Sequence, residues 1–319
     1  MHMKIDLSVL RAVEREQRVA FDDLVRIAEQ AVVMAYLRHT GLEDADLVKA
    51  KLNRKTGEID LRVKHDGDFI PYKSDAFSRM AATAAKRVIT SKMRTLSDDS
   101  TFARYKTKIG TVLSGVISQS TSQNFRMVSL DRRTEAILRP EEQIPGEEYP
   151  HGKMVKVYVT DVTLGPRGSN VYVSRTHPGL INGLFLQEVP EIASGTVEIV
   201  AVSREAGHRT KVSVRSNSKS TSAVGACVGE YGCRVRAVTS EICNEKIDII
   251  SYSDDLGQYV ANAISPATAA DVFVLDSRQK VVRVYVSKEE YSLAIGKEGQ
   301  NARLAARLTG AKIDIRIDE

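Results

Sequence analysis

The feature that most limits how this chain can fold is a repeat in its last third. Val228-Gly229-Glu230-Tyr231-Gly232 returns as Ile295-Gly296-Lys297-Glu298-Gly299, and Arg236 has its counterpart in Arg303 at the same offset. Further on, Lys246-Ile247-Asp248-Ile249 returns as Lys312-Ile313-Asp314-Ile315. A unit written twice in tandem must fold twice, so the repeat fixes the architecture of this region before any propensity is weighed. Apolar spacing predicts the same order of elements in each copy. A leading helix (180–189; 256–264) precedes two β runs (196–203 with 210–215; 272–275 with 281–286). A short apolar helix, the GxxG, a second helix (to 242; to 308) and a final strand follow.

This order, α-β-β-α-α-β, is that of a KH domain of the bacterial type, type II. A GxxG between two helices joins a helix C-terminus to a helix N-terminus through residues without a Cβ. A nucleic-acid backbone can then approach closely and meet free N–H groups at the positive end of the second helix. Such modules clamp about four nucleotides of single strand and read base edges in an adjoining groove. Arg234 and Arg236 follow the first loop, and Lys297, Asn301, Arg303 and Arg307 lie at or after the second, supplying charge and donors. The first loop is the weaker candidate, because Glu230 puts a carboxylate where a phosphate would pass; Lys297 partly offsets Glu298 in the second. A cluster of Arg204, Arg209, Lys211, Arg215 and Lys219 either tracks phosphates or forms a solvated sheet edge.

Upstream, residues 106–178 hold five short β-rich runs separated by Gly, Pro, Ser and charged turns, which fits a small barrel of OB type. Gly110, Gly115 and Gly152 stand where such a barrel turns corners. Without tryptophan in the chain, Phe125, Tyr158 and Tyr172 are the available base-stacking side chains, with the barrel core as their other destination. The first hundred residues read as α+β. A helix runs from Phe21, capped by Asp22 or Asp23 and stopped by Gly41, and a hairpin joins 47–53 to 58–65. A long helix opens at Ser74 or Asp75, with Phe77, Met80, Ala81, Ala84, Val88 and Met93 on one side. Arg79, Lys86, Arg87, Lys92 and Arg94 lie on the other, either solvated or facing a partner.

Composition narrows the function. The 319 residues carry a formal charge of +5, placed as +6 in residues 1–180 and −1 in residues 181–319, so RNA affinity in the repeat must rest on backbone donors and a few arginines. No apolar run approaches the ~18–20 residues of a membrane span, and the N-terminus has no signal-like core, so a cytoplasmic protein is expected. Cys227, Cys233 and Cys243 lack zinc-ligand spacing and read as buried thiols in a reducing compartment. No GxxxxGK[ST], HExxH or GxSxG occurs, and the six histidines are scattered, so an enzyme is not expected and neither is a cofactor or metal.

Together these residues resemble the NusA family of bacterial transcription elongation and termination factors, of the actinobacterial type. The resemblance is carried by VSRTHPGL (173–180), LFLQEVPEIASGTVEIVAVSREAGHRTKVSVRS (184–216), VGACVG (224–229), EKIDII (245–250) and LAIGKEGQNARLAARLTG (293–310). It implies an N-terminal polymerase-binding domain (1–105), an OB domain (106–178) and two KH domains (179–252 and 253–319). It implies a factor that binds RNA polymerase near the RNA exit channel and lays the OB-KH-KH array along the nascent transcript. Such a factor modulates pausing, termination and antitermination, with other Nus factors as partners, and a monomer is expected. RNA contacts would centre on Gly229, Gly232, Arg234 and Arg236, and on Gly296, Lys297, Gly299, Gln300, Asn301 and Arg303; Arg79, Lys86, Arg87 and Arg94 would face polymerase or exiting RNA. Residues up to Glu319 do not include the acidic C-terminal repeats of some members, and Cys233 stands where Ser or Gln is more usual. An RNA-processing or ribosome-associated KH/OB protein is the alternative. In polynucleotide phosphorylase, however, the KH module precedes the OB module and both follow large catalytic domains.

Overall fold

The computed structural model describes residues 4–17, 20–119, 125–165 and 168–318. The chain divides into two compact units, Met1–Arg104 with Leu164–Ser169, and Tyr105–Thr163 with Asn170–Glu319. The fold class is the expected one: α+β throughout, with a closed five-stranded barrel and two KH units.

The first unit contains α1 (Leu7–Gln17), α2 (Phe21–Thr40), an antiparallel sheet of β1 (Val48–Leu52), β2 (Ile59–His65) and β3 (Asp68–Pro71), and α3 (Asp75–Lys106). Gly41 stops α2 in the left-handed conformation (φ 73°), but the N-cap is Ala20, which offers no side-chain bond. Asp22 and Asp23 lie inside the first turn instead, where their charge complements the helix N-terminus. The sequence reading missed β3. Asp66 and Gly67, at φ 49° and 99°, reverse the chain so tightly that Lys64 pairs with Phe69, an Asp-Gly turn signal that was there to be read. On α3 the buried row is Phe77, Ala81, Ala85 and Ile89; Met80 and Val88, expected on it, are each 42% exposed. Met80, Ala84 and Val88 form the adjacent i,i+4 row, so the expected stripe merged two rows of the helix. The buried row packs with Leu24, Val32, Tyr36, Leu52 and Leu61 into one core.

In the second unit β4 (Val112–Ser118), β5 (Arg126–Ser129), β6 (Glu135–Leu138), β7 (Met154–Gly165) and β8 (Gly168–Ser174) close in the order β4-β5-β6-β8-β7. The β6–β8 pair is parallel and the β4–β7 pair antiparallel. Alternation fills the barrel: Val155, Val157 and Val159 on β7 are buried, while Lys156 and Tyr158 between them point outward. Gly115 lets β4 pass close to the Val128 side chain of β5, since a Cβ there would lie 2.5 Å from Val128 Cγ1.

The first KH unit follows as α4 (Pro178–Glu188), α5 (Pro190–Ala193), β9 (Val197–Glu205), β10 (Arg209–Ser216), α6 (Ala223–Val228), α7 (Cys233–Glu241) and β11 (Lys246–Ser251). The second follows as α8 (Leu256–Ala263), β12 (Asp271–Asp276), β13 (Val281–Val286), α9 (Lys288–Ile295), α10 (Gln300–Thr309) and β14 (Lys312–Ile317). In each, the middle strand is antiparallel to the first and parallel to the last. The repeated Lys-Ile-Asp-Ile now has a physical reason. Asp248 accepts from Arg209 (2.7 Å) and Lys211 (3.0 Å) on the neighbouring strand, and Asp314 accepts from Arg283 (2.9 Å) in the same cross-strand position.

Candidate nucleic-acid interface

The two GxxG loops have the same backbone. Gly229 and Gly296 have φ/ψ of 74°/171° and 76°/170°, Tyr231 and Glu298 have 50°/23° and 54°/28°, and Gly232 and Gly299 have 74°/20° and 72°/14°. Each second glycine is the N-cap of the next helix and supplies no side-chain bond; the first N–H of α7 (Cys233) and of α10 (Gln300) turns back on the loop and donates to Glu230 O and Lys297 O. The glycines divide the work. A Cβ on Gly229 would fall 2.7 Å from Arg234 Cγ, and one on Gly296 would fall 2.8 Å from the Asn301 amide nitrogen. The first glycine of each loop is therefore required by the helix folding back on it. Gly299, with nothing within 4 Å of its Cβ position, is the one that leaves open backbone.

The predicted contact residues separate into three groups. Asn301 is 1% exposed and donates to Ile264 O (2.8 Å) and Ala294 O (3.0 Å). Arg234, at the same offset in the first copy, donates to Ala226 O (2.6 Å) and pairs with Glu191 (2.8 Å). Both are latches that hold the helix-loop-helix together, and Asn301 cannot reach a ligand; no local pattern told them apart from surface donors. Gln300 and Arg303 form a second group. Gln300 donates to Glu205 Oε2 (2.9 Å), and Arg303 grips both oxygens of that carboxylate (2.7 and 3.0 Å), joined by Arg307. Glu205 lies at the end of β9, so α10 of the second KH unit is tied to the sheet of the first. The Arg303 hydrogen bonds foremost, with Gln300 and Arg307 adding to them against the opposing effect of burial, hold the Glu205 carboxyl at about 2. The third group is Arg236 and Lys297, which are exposed and whose side chains enter no hydrogen bond or ion pair among the described residues. A shallow groove of about 530 Å³ opens beside the first loop, lined by small and charged residues that include Glu191, Ser222, Ala226, Glu230, Cys233 and Arg234, with no large apolar side chain.

The basic cluster of the first KH hairpin divides: Arg215 and Lys219 are exposed, as a solvated edge would have them, but Arg204 and Lys211 are buried, which neither reading made from sequence foresaw. Arg204 is buried in a bidentate pair with Glu245, which also accepts from Thr210 and from the Gly207 amide (2.9 Å). Lys211 is buried between Asp248 and the carbonyl of Ser265 (2.5 Å), a second tie between the KH units. Burial lowers its pKa, with Asp248 working against the shift. Arg215 pairs with Glu198 (3.0 Å). Acids distant in sequence thus pair with Arg204, Arg209, Lys211 and Arg215, while Lys219 is exposed with no ion pair among the described residues.

A comparable junction fixes the barrel to the first KH unit. Arg175, fully buried, donates twice to Glu147 (2.7 Å each), to Lys156 O (2.7 Å) and to Glu241 O (2.7 Å). Burial works to raise the Glu147 pKa, but the Arg175 hydrogen bonds and charge reverse it, so the carboxyl lies below its usual range. Tyr158, one of the expected stackers, lies flat on His177 (centroids 4.4 Å, planes 5° apart), where His177 caps α4. That ring is consumed by the fold. Tyr172 carries the Arg139 guanidinium over its face at 4.3 Å, and Phe125 is surface-exposed.

Arg79, Lys86 and Arg87 are exposed on α3 of the first unit; the Lys92, Met93 and Arg94 side chains lie outside the described residues. Of the cysteines only Cys227 is buried, which pushes its thiol up to about 11, while Cys233 and Cys243 are exposed, against the expectation of three buried thiols. No described helix is long and apolar enough to cross a membrane.

Residues 175–252 match the family described as NusA-like first KH domain, and residues 256–319 match the NusA-like second KH domain. Over most of its length the chain is similar to proteins named transcription termination/antitermination protein NusA. The Mycobacterium tuberculosis protein is 44% identical, covering 99% of this chain and 94% of that one. The Bacillus subtilis protein is 38% identical (98% and 90%), and the Thermus thermophilus protein 39% (87% and 70%).

Proposed function

Because the chain belongs to the NusA family, we propose that it is an RNA-binding transcription factor that acts on RNA polymerase to modulate pausing, termination and antitermination. The observation that carries this reading is the pair of isostructural GxxG loops, each leading into a helix with no side-chain cap, set in one unit with an OB-like barrel. Arrays of this kind hold single strands through backbone donors and a few cations. The nascent transcript would contact the loop backbone at Gly229, Gly232, Gly296 and Gly299, most openly at Gly299, with Arg236 and Lys297 on phosphates. Gln300 and Arg303 would reach RNA from their station on Glu205, and Arg234 would shape the first loop from behind. Residues 1–105 form the polymerase-binding part, with Arg79, Lys86, Arg87 and Arg94 on its basic helix. Residues 106–178, 179–252 and 253–319 are the OB and two KH modules. The factor works as a monomer in the cytoplasm, alongside other Nus factors, and is not an enzyme.

The test is transcription by bacterial core polymerase on a template with a hairpin pause, with and without the protein. The pause half-life should lengthen with wild-type chain, and Lys297→Asp should reduce the effect with circular dichroism unchanged. Absence of any effect on pausing, with ribosomal subunits and no polymerase recovered in a pull-down, would favour a ribosome-associated role instead.

A further inference from the structure

The two loops share a backbone but not a surface. Where the second presents Lys297 and Glu298, the first presents Glu230 and Tyr231, and Tyr231 is 93% exposed, the most exposed of the large apolar side chains among the described residues. Its φ of 50° is one that bulky residues rarely adopt, so the loop holds the ring out at a conformational cost and with none of the return that burial would bring. Four observations bear on what meets it. Glu230 beside it disfavours a phosphate at the loop tip. The groove next to the loop is lined by small and charged residues, Ser220, Ser222, Ala226, Glu191, Glu230 and Arg234 among them, and by no large apolar or aromatic side chain. The Arg236 guanidinium lies over the loop backbone, 3.0 Å from the position a Cβ on Gly232 would take, and is unpaired among the described residues. The flanking residues Gly229, Glu230 and Gly232 provide no apolar rim that would seal a protein partner around the ring.

We propose that the first loop is a base-stacking site. A nucleobase of single-stranded RNA lies on the face of Tyr231, and Arg236 takes a phosphate of the same strand. The second loop holds the backbone through Lys297 and the open peptide at Gly299. The two loops then differ in role: one grips phosphate whatever the sequence, and the other favours bases that stack well. This rests on the RNA-binding reading above and adds to it which face of the RNA the first loop meets.

The absence of tryptophan makes the test direct. In the full chain, Tyr231→Trp introduces a single indole whose fluorescence should be quenched by short single-stranded polyadenylate, and left unchanged by an abasic strand of the same length or by inorganic phosphate. Tyr231→Ala should weaken polyadenylate binding by about 5- to 150-fold, the range expected for loss of one stacked base, while Tyr231→Phe keeps it. Tyr231→Asn, which tolerates positive φ, should behave as Tyr231→Ala and so separates stacking from loop strain. If Tyr231→Ala and Tyr231→Asn bind polyadenylate as wild type does while Lys297→Asp is impaired, the stacking site is refuted and the RNA reading stands. If wild type itself does not bind, both fail. If Tyr231→Ala keeps RNA but loses co-elution with core polymerase, the ring serves a protein contact and the proposal is overturned.

Discussion

Glu205→Gln should loosen the two KH units from each other, with a pH signature that a merely local defect would lack. In the wild type the carboxylate sits among Gln300, Arg303 and Arg307, and its pKa falls from 4.5 to about 2. Taken at face value that shift corresponds to about 3 kcal/mol of preference for the folded state. Arg303 and Arg307 are 48% and 50% exposed, however, so water screens the cluster and about 1 to 1.5 kcal/mol is the better expectation. Since the folded-state pKa is depressed, the contribution is complete above the unfolded value and is lost as pH falls through 4.5 toward about 2. The difference in unfolding free energy between wild type and Glu205→Gln, measured by urea denaturation, should therefore be flat from pH 7 to about 5. It should shrink progressively at lower pH, because the wild type then carries a neutral acid too. A difference near zero at neutral pH, or one that stays constant down to pH 3, would refute the tie as described.

Three further outcomes are expected. Gly296→Ala should destabilise the chain by about 2 kcal/mol or more, because the new Cβ meets the Asn301 backbone at positive φ, while Gly299→Ala, facing open space, should cost only about 1 kcal/mol; thermal melts of the two decide it. Arg175→Met should cost about 3 kcal/mol by removing the buried guanidinium from Glu147, which keeps only Lys153 and Tyr149, and adding Glu147→Gln should recover part of that in a double-mutant cycle. RNA affinity should fall only gently with salt, with a log-log slope of about −1.4 for two phosphate-neutralising side chains on a single strand, as titrations across a range of KCl will show.

What was legible in the sequence was what the backbone demands locally. The GxxG tetrads, Gly41 and the Lys-Ile-Asp-Ile strands each record a conformation or pairing that few residues can satisfy, so the KH order and the barrel could be read directly. What escaped was settled by partners far along the chain. Arg204, Lys211 and Arg303 look like free cations until Glu245, Asp248 and Glu205 arrive beside them. Asn301 looked like a donor for RNA because nothing in its neighbourhood reveals that Ile264 and Ala294 carbonyls close over it. Tyr158 illustrates the same limit: strand alternation put it outside the barrel, where another module covers it rather than solvent. The exposure of Tyr231 likewise depends on the tertiary fold, although its place between two glycines marked it as a loop tip.

The ties through Glu205 and Lys211 have a consequence for avidity. With the two KH units fixed on each other, the distance between their loops is set in advance, and no flexible linker must be ordered when both engage one strand. Once one loop holds an RNA, the other meets the continuing strand at an effective concentration set by the polynucleotide's own stiffness. An RNA too short to reach both loops gains nothing from the second. Past the bridging length, affinity should rise in a step rather than in proportion to length, so the array would measure a bound RNA as well as hold it.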